Sequence, residues 1–218
     1  MITAIAVIAA SYAIGSVPVA WLAGHIAKGV DIRDVGSGNT GASNIFQSVS
    51  RSLVVPVGVA QIAQGAVCAL LARGLGQSDA VQACAGIAAV AANDWNPWLA
   101  FTGGRGVGQA IGVMLVLSPF ALVLFILVAL IGVALKAIPQ FVALALVLAP
   151  LAAVIVEQPA PVAGGCLAIA ALILAKRLLA NSAPAVSSPR PQVWLYRLLY
   201  DRDIRDRDAW VRRRLDAG

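Results

Sequence analysis

Charge is what this sequence most lacks. Charged side chains make up only 12% of its 218 residues, against about a quarter in soluble domains, and mean hydropathy is +0.86. That excludes a water-soluble globular protein. It predicts one integral membrane domain, residues 1–181, followed by a polar cytoplasmic tail, 182–218. Lysine and arginine are missing from "MITAIAVIAASYAIGSVPVAWLAG" at the start. Without a basic flank this is not a cleaved signal peptide but an uncleaved first spanning helix. Cysteine is limited to Cys68, Cys84 and Cys166, each inside an apolar run. An odd number of such thiols argues against a disulfide framework and predicts small core residues. The single histidine, His25, sits at the end of the first helix and reads as an interfacial residue without catalytic duty. No repeat of 20 to 50 residues is visible. No nucleic-acid-binding fold accompanies the basic residues, so no nucleic-acid partner is expected, and neither is a metal or cofactor.

Apolar runs predict an all-α membrane protein with spans at 2–27, 53–73, 79–92, 106–118, 120–136, 138–156 and 160–180. The run from 106 to 136 is too long for one crossing, and Ser118-Pro119 near its middle removes a backbone donor, so it divides into a short helix and a spanning one. Seven segments result. If the loop after the first helix is cytoplasmic, Lys28, Arg33, Arg51, Arg105, Lys136, Lys176 and Arg177 lie inside. All eight arginines of the tail, Arg190 to Arg214, lie inside with them. Only Arg73 violates the positive-inside bias, whereas a six-segment reading puts the tail outside. The N-terminus is therefore expected outside and the C-terminus in the cytoplasm. The net charge of +6 gathers on the inner face, where it attracts anionic lipids and anionic substrates.

Two polar stretches break the apolar pattern on that face. "DIRDVGSGNTGASN", residues 31–44, holds only Ile32, Val35 and Ala42 as apolar side chains. "FTGGRGVGQ", residues 101–109, leads straight into a helix. Glycines let backbone approach a ligand closely. Successive free N–H groups make an anion-binding nest, and a helix N-terminus adds partial positive charge. Ser37, Asn39, Ser43 and Asn44 add neutral donors, and Arg33 and Arg105 add charge. This is the chemistry of a phosphate site. A glycine pair alone also serves as a packing notch between membrane helices. Asp31 and Asp34 read as pairing or capping partners of Arg33 rather than general bases.

The order and spacing of "GSVPVAWLAGHIAKGVDIRDVGSGNTGASNIF", "QG" at 64–65 and "NDWNPWLAFTGGRGVGQAIG" resemble the bacterial membrane glycerol-3-phosphate acyltransferases that take their acyl group from acyl-phosphate. The likeness runs over roughly residues 11–115. It implies a multi-pass protein of the bacterial cytoplasmic membrane that makes lysophosphatidic acid for phospholipid biosynthesis. Its partners would be glycerol-3-phosphate, acyl-phosphate and membrane lipids; the sequence names no protein partner. The resemblance casts Ser37, Arg33 and Asn39 as catalytic residues. It casts Gly36, Gly38, Asn44, Gly103, Gly104, Arg105 and Gly106 as phosphate-binding, with Arg105 where the family usually has lysine. Arginine is a bidentate donor and lysine a point charge, so the swap alters geometry while keeping charge.

Several family residues are replaced. Gln64-Gly65 stands for a lysine-glycine pair, Gln61 for an aspartate three positions earlier, and Ala92-Asn93 for glycine-histidine. A C-terminal histidine–asparagine motif gives way to "KRLLAN". Gln64, Asn93, Lys176, Arg177 and Asn181 are candidate partial substitutes. Acyl-phosphate is already activated, so positioning and charge neutralisation can carry much of the barrier lowering without a histidine base. Two other readings stay open: a non-catalytic relative that binds lipid precursors and regulates or scaffolds a true acyltransferase, and a transporter of phosphorylated anions. Against transport, no charged residue falls at mid-membrane depth in these spans apart from Asp94 near an end, whereas transport pathways usually carry some. In the tail, Trp194, Leu195, Leu198 and Leu199 share a helical face expected at the membrane interface. The mixed charges after them are expected to form a solvated, i,i+4-paired surface.

Overall fold

Each apolar run folds as helix, and proline places many of the starts and breaks. The computed structural model describes residues 1–180, 190–206 and 209–210. Its helices are α1 (Ile2–Gly15), α2 (Val19–Lys28), a short α3 (Ala42–Asn44) running into a wide turn at Ile45–Val49, α4 (Val54–Gly74) and α5 (Asp79–Asp94). After a tight turn at Pro97–Leu99 come α6 (Val107–Leu117), α7 (Pro119–Ala134), α8 (Ile138–Ile155), α9 (Ala160–Leu179) and α10 (Arg190–Tyr200). No strand occurs among the described residues. The long run divides at Ser118, and Pro119 opens α7, where its missing N–H costs nothing.

Four helical stretches are long and apolar enough to cross a membrane: Ile2–Lys28, Val54–Gly74, Ile138–Ile155 and Ala160–Leu179; α6 and α7 are shorter apolar helices. Large apolar side chains such as Leu130, Leu144, Val154 and Leu167 face outward, while amides of Gln61, Gln64, Asn93 and Gln109 are buried. Lipid contact makes the first arrangement favourable, since the outward face of a membrane helix has no water to avoid. Backbones approach closely at small residues. A Cβ on Gly65 would lie 2.0 Å from the Gln109 carbonyl oxygen, and one on Gly112 would lie 1.9 Å from that of Ile62. Glycine at both positions lets α4 and α6 cross in contact.

The expected single helix over 2–27 is broken at Ser16–Pro18 into α1 and α2. Pro18 cannot donate and clashes with the preceding turn, so carbonyls near the break lose their helical partners. Side chains from elsewhere supply new ones. Gln64 Nε2 donates to the Ile14 and Val17 carbonyls at 2.8 and 3.0 Å, and Asn96 Nδ2 donates to that of Ser16 at 2.6 Å. Trp98 Nε1 donates to Ser16 Oγ at 3.0 Å.

Cys68 and Cys166 are buried, but Cys84 is exposed on the helical surface, and all three thiols are free. Arg73, the residue that breaks the charge bias, donates to the Val116 carbonyl at 2.7 Å and so caps the end of α6. Among the described charges after α10, Arg205 and Asp206 are exposed but Asp203 is not part of a solvated surface. Arg197 and Asp203 form an ion pair at 2.6 Å with both side chains buried, and Arg197 also donates to the Leu178 and Leu179 carbonyls that end α9. Trp194 and Leu195 are exposed.

Candidate active site

The polar loop owes its shape to Asn44, which is fully buried. Asn44 Nδ2 donates to the Ile32 and Val35 carbonyls at 2.7 and 3.1 Å, and its Oδ1 accepts from the Ser37 amide and from Ser48 Oγ, both at 3.1 Å. All its bonding capacity is spent inside the loop, so Asn44 holds the loop rather than offering a donor to a phosphate. Gly36 follows from the same contact: its φ is +58°, and a Cβ there would lie 2.3 Å from Asn44 Oδ1. A chain of L side chains does not make that turn.

Arg33 is the clamp between the two polar stretches. Its guanidinium grips Asp31 through Nε at 3.0 Å and Nη2 at 2.6 Å, while Nη1 donates to the Leu99 carbonyl at 3.2 Å and to Thr102 Oγ1 at 3.0 Å. Its hydrogen bond to Asp31 holds that carboxyl well below the usual carboxylate range, as a charge-assisted bond to the ionised form must. Asp31 is thus a pairing partner, as its spacing suggested. Asp34 makes no ion pair with Arg33.

The second stretch packs onto the end of α5 instead of forming an open nest. The Gly103 amide donates to the Asp94 carbonyl at 3.2 Å and the Gly104 amide to that of Asn93 at 3.0 Å. The expectation of free N–H groups therefore fails at these two positions, because the last carbonyls of α5 need donors. Space explains the glycines: a Cβ on Gly103 would lie 1.8 Å from the Asn93 carbonyl oxygen. Gly106, at φ +63°, is the N-cap of α6, and Asp94, fully buried, brings Oδ1 within 2.7 Å of where a Cβ on it would stand. A carboxyl group of the chain itself thus borders that helix start. The loops nevertheless meet, since the Thr40 carbonyl oxygen lies 3.1 Å from the corresponding position on Gly104.

Beneath the junction runs a chain of amides. Gln109 Nε2 donates to Gln64 Oε1 at 3.0 Å and to Asn93 Oδ1 at 3.1 Å, and Asn93 Nδ2 donates to Asp94 Oδ1 at 3.2 Å. Gln61 Nε2 reaches the Thr40 carbonyl at 3.5 Å. Gln64 and Asn93 are therefore joined in one buried network with Gln109, which the sequence reading did not single out. Lys176 comes to the same place from α9: its Nζ donates to the Phe101 carbonyl at 3.3 Å and stands 5.3 Å from the Trp95 ring centre. Arg177 turns away and donates to the Pro139 and Leu198 carbonyls. Asn181 lies outside the described residues.

Above the polar loop opens a cleft of 530 Å³, lined by Ser37, Asn39 and Ser43 together with Lys136, Gln140 and the tail residues Tyr200 to Arg202. Asn39 Oδ1 is buried and has no hydrogen-bond partner among the described residues. Lys136, in the α7–α8 turn, and Asp201 are the site residues that sequence reasoning missed as such. Arg105 does not line the cleft; its Nε pairs with Asp201 at 2.7 Å, and its Nη1 donates to the Lys176 carbonyl at 3.1 Å. Asp201 therefore joins the cleft to the glycine loop.

Residues 5–183 match the model of a family described as glycerol-3-phosphate acyltransferase. "Glycerol-3-phosphate acyltransferase 4" of Dehalococcoides mccartyi is 31% identical, covering 96% of this chain and 94% of its own. "Glycerol-3-phosphate acyltransferase 1" of Deinococcus radiodurans is 44% identical over 54% of this chain and 59% of its own. The crystal structure of PlsY, an integral membrane glycerol 3-phosphate acyltransferase, in its glycerol 3-phosphate form superposes with a TM-score of 0.75 at 29% identity, covering 80% of this chain and 88% of that one. Its lysophosphatidic acid form superposes with a TM-score of 0.73 at 28% identity, over the same shares. The chain belongs to the glycerol-3-phosphate acyltransferase family.

Proposed function

We propose that this membrane protein acylates glycerol-3-phosphate with acyl-phosphate as donor, producing lysophosphatidic acid. The observation that carries the reading is the junction of the two polar stretches, where Arg33 binds Leu99 and Thr102 and Thr40 packs on Gly104. A two-substrate transfer needs both reacting groups held together, and such a junction supplies it. A hydroxyl oxygen of glycerol-3-phosphate attacks the acyl carbonyl carbon, and the bond from that carbon to the phosphate oxygen breaks. The departing inorganic phosphate takes the hydroxyl proton. No covalent enzyme intermediate is required. Ser37 and Asn39 lie on the wall of the cleft and serve to orient the substrates; Gly36 and Gly38 shape the loop that carries them, and Arg105 neutralises phosphate beside Gly103, Gly104 and Gly106. The donor preference rests on the sequence resemblance.

The same reading places residues 1–181 across a bacterial cytoplasmic membrane in seven segments, with the N-terminus outside and residues 182–218 in the cytoplasm. Lys28, Arg33, Arg51, Lys136 and the tail arginines then share one face. Supporting this, Ser37, Lys136 and Arg202 line a single cleft, so they share one end of the bundle.

The test is formation of lysophosphatidic acid by the purified protein from acyl-phosphate and glycerol-3-phosphate, with acyl-coenzyme A as the competing donor. Product from acyl-coenzyme A alone overturns the donor; binding of both substrates without product overturns the enzyme. A binding-only relative is the second reading, favoured by the neutral amides Gln61 and Gln64 where the resembled family carries an aspartate and a lysine, and by Asn93 where it carries a histidine. Restoring the family residues, with Gln61→Asp, Gln64→Lys and Asn93→His together, raises turnover in a weakened enzyme and leaves a binding-only protein inactive.

A further inference from the structure

The tail after α10 lies beyond residues 5–183, the part of the chain that the family match covers, yet one of its carboxylates reaches the phosphate-binding arginine. Asp201 Oδ1 stands 2.7 Å from Arg105 Nε, with the Arg105 side chain only 12% exposed and that of Asp201 26% exposed. The carboxylate is held there by design of the surrounding chain. The Asp201 amide donates to the Arg197 carbonyl at 3.0 Å, and its φ is +54°, a left-handed conformation that few side chains tolerate. On either side, Arg197 and Asp203 pair at 2.6 Å in the interior, and Arg197 is tied to the carbonyls ending α9. Asp201 also lines the cleft that holds Ser37 and Asn39. A negatively charged oxygen therefore sits on the guanidinium, at the boundary between glycine loop and cleft, where a substrate phosphate oxygen would bind.

We propose that Asp201 is an internal competitor for Arg105: the tail carboxylate occupies the guanidinium in the unliganded protein, and a phosphorylated substrate must displace it. The inference rests on the assignment of Arg105 as a phosphate ligand. Asp201 thereby sets the affinity for phosphorylated substrate without taking part in the chemistry. Arg105 Nη1 stays on the Lys176 carbonyl at 3.1 Å, so the guanidinium keeps its place when the carboxylate leaves. The exchange trades one anion for another on the same donor, so the arginine is never left unpaired in a partly buried site.

Asp201→Asn removes the charge and suits the backbone, because asparagine also accepts positive φ; Asp201→Gly removes the whole side chain and accepts it too. Calorimetric titration of the purified full-length protein with glycerol-3-phosphate should give binding about two- to fivefold tighter in both variants, the range of a partly exposed ion pair. The gain should shrink as salt rises, since the displaced contact is ionic. Unchanged or weaker binding in both variants would falsify the competitor role and make Asp201 a support that positions Arg105. A parallel Arg105→Ala titration separates the two failures. If that variant binds as well as the unaltered protein, the assignment of Arg105 to phosphate is wrong. If it binds more weakly while both Asp201 variants gain nothing, only the competitor role is lost.

Discussion

Arg33 and Thr102 are joined by a hydrogen bond of 3.0 Å across 69 positions of sequence, and through it the first polar stretch is fixed to the second. The same guanidinium holds Asp31, so one side chain sets the relative position of two loops and keeps a carboxylate ionised. The polarity of residues 31–44 has two origins. Some of it is internal scaffolding, as at Asn44 and Arg33, and some faces the cleft, as at Ser37, Asn39 and Ser43.

Acid should loosen this clamp. The Asp31 carboxyl is held below its ordinary range in the folded protein, so its contribution to stability is fully present above the unfolded carboxyl pKa, about 3.9. It is lost as pH falls from there toward the depressed folded value. Thermal melting in detergent should therefore be insensitive to this group from pH 8 to about 5 and decline below about 4. Asp31→Asn should melt lower than the unaltered protein at neutral pH and lack that part of the acid decline. The effect is modest, because both side chains are partly exposed and water screens the pair. An acid profile of the Asn variant that superimposes on the unaltered one would assign the decline to other groups.

Glycine positions separate packing from mere flexibility. A Cβ on Gly103 would stand 1.8 Å from the Asn93 carbonyl oxygen, whereas one on Gly164 meets nothing within 4 Å. Gly103→Ala must push the loop off the end of α5, where forced overpacking typically costs about 1 to 3 kcal/mol, and should abolish or sharply reduce product formation. Gly164→Ala, inside α9, should melt at the same temperature or slightly higher, because alanine is the better helix former. Equal activity in the two variants would mean that the second glycine stretch does not need its close approach.

Gln64 ties the broken first helix to the amide network, with donors on Ile14 and Val17 and an acceptor for Gln109. Gln64→Ala removes the side-chain donor from two part-buried carbonyls that keep backbone partners, at a cost of about 0.5 to 1.5 kcal/mol per hydrogen bond. Gln64→Glu should be worse, since a carboxylate facing two carbonyl oxygens can donate to neither. Gln64→Lys keeps a donor for them and should melt highest of the three. Melting in detergent ranks the variants; the order Glu above Ala would refute the role given to the break.

Legibility in the sequence followed the range of the forces involved. The split at Ser118-Pro119 was readable because proline acts on its own turn, and each predicted apolar segment after the first appears as one helix within a few residues. The same rule applied at Pro18, but the unbroken apolar run around it hid the break, and what stabilises it are Gln64, Asn96 and Trp98 from distant parts of the chain. The glycines of 103–106 were readable as a close approach. Their partner was not, since glycine permits contact with a ligand or with the end of α5 equally well. Asp201 looked like one charge in a solvated run, because nothing local marks a carboxylate that pairs 96 positions away. Lys136 was read only as an inside charge; its place in the cleft depends on how the α7–α8 turn meets the polar loop.

The two arginines should behave differently, and the difference tests the phosphate assignment as a whole. Arg33 is committed to Asp31, Leu99 and Thr102, so Arg33→Ala should act through the loops, lowering both melting temperature and turnover. Arg105 bonds one carboxylate and one carbonyl, and under the proposed competitor role the carboxylate gives way to phosphate. Arg105→Ala should weaken glycerol-3-phosphate binding by about one to two powers of ten, the worth of one charge-assisted bond, with a smaller change in melting. Arg105→Lys should fall between, because an ammonium supplies the charge but cannot hold the Lys176 carbonyl and a phosphate with the fixed fork of a guanidinium. Titration and melting on the same preparations distinguish the cases. Unchanged affinity in both alanine variants would leave the two polar stretches as structural connectors and remove the basis for a phosphate site between them.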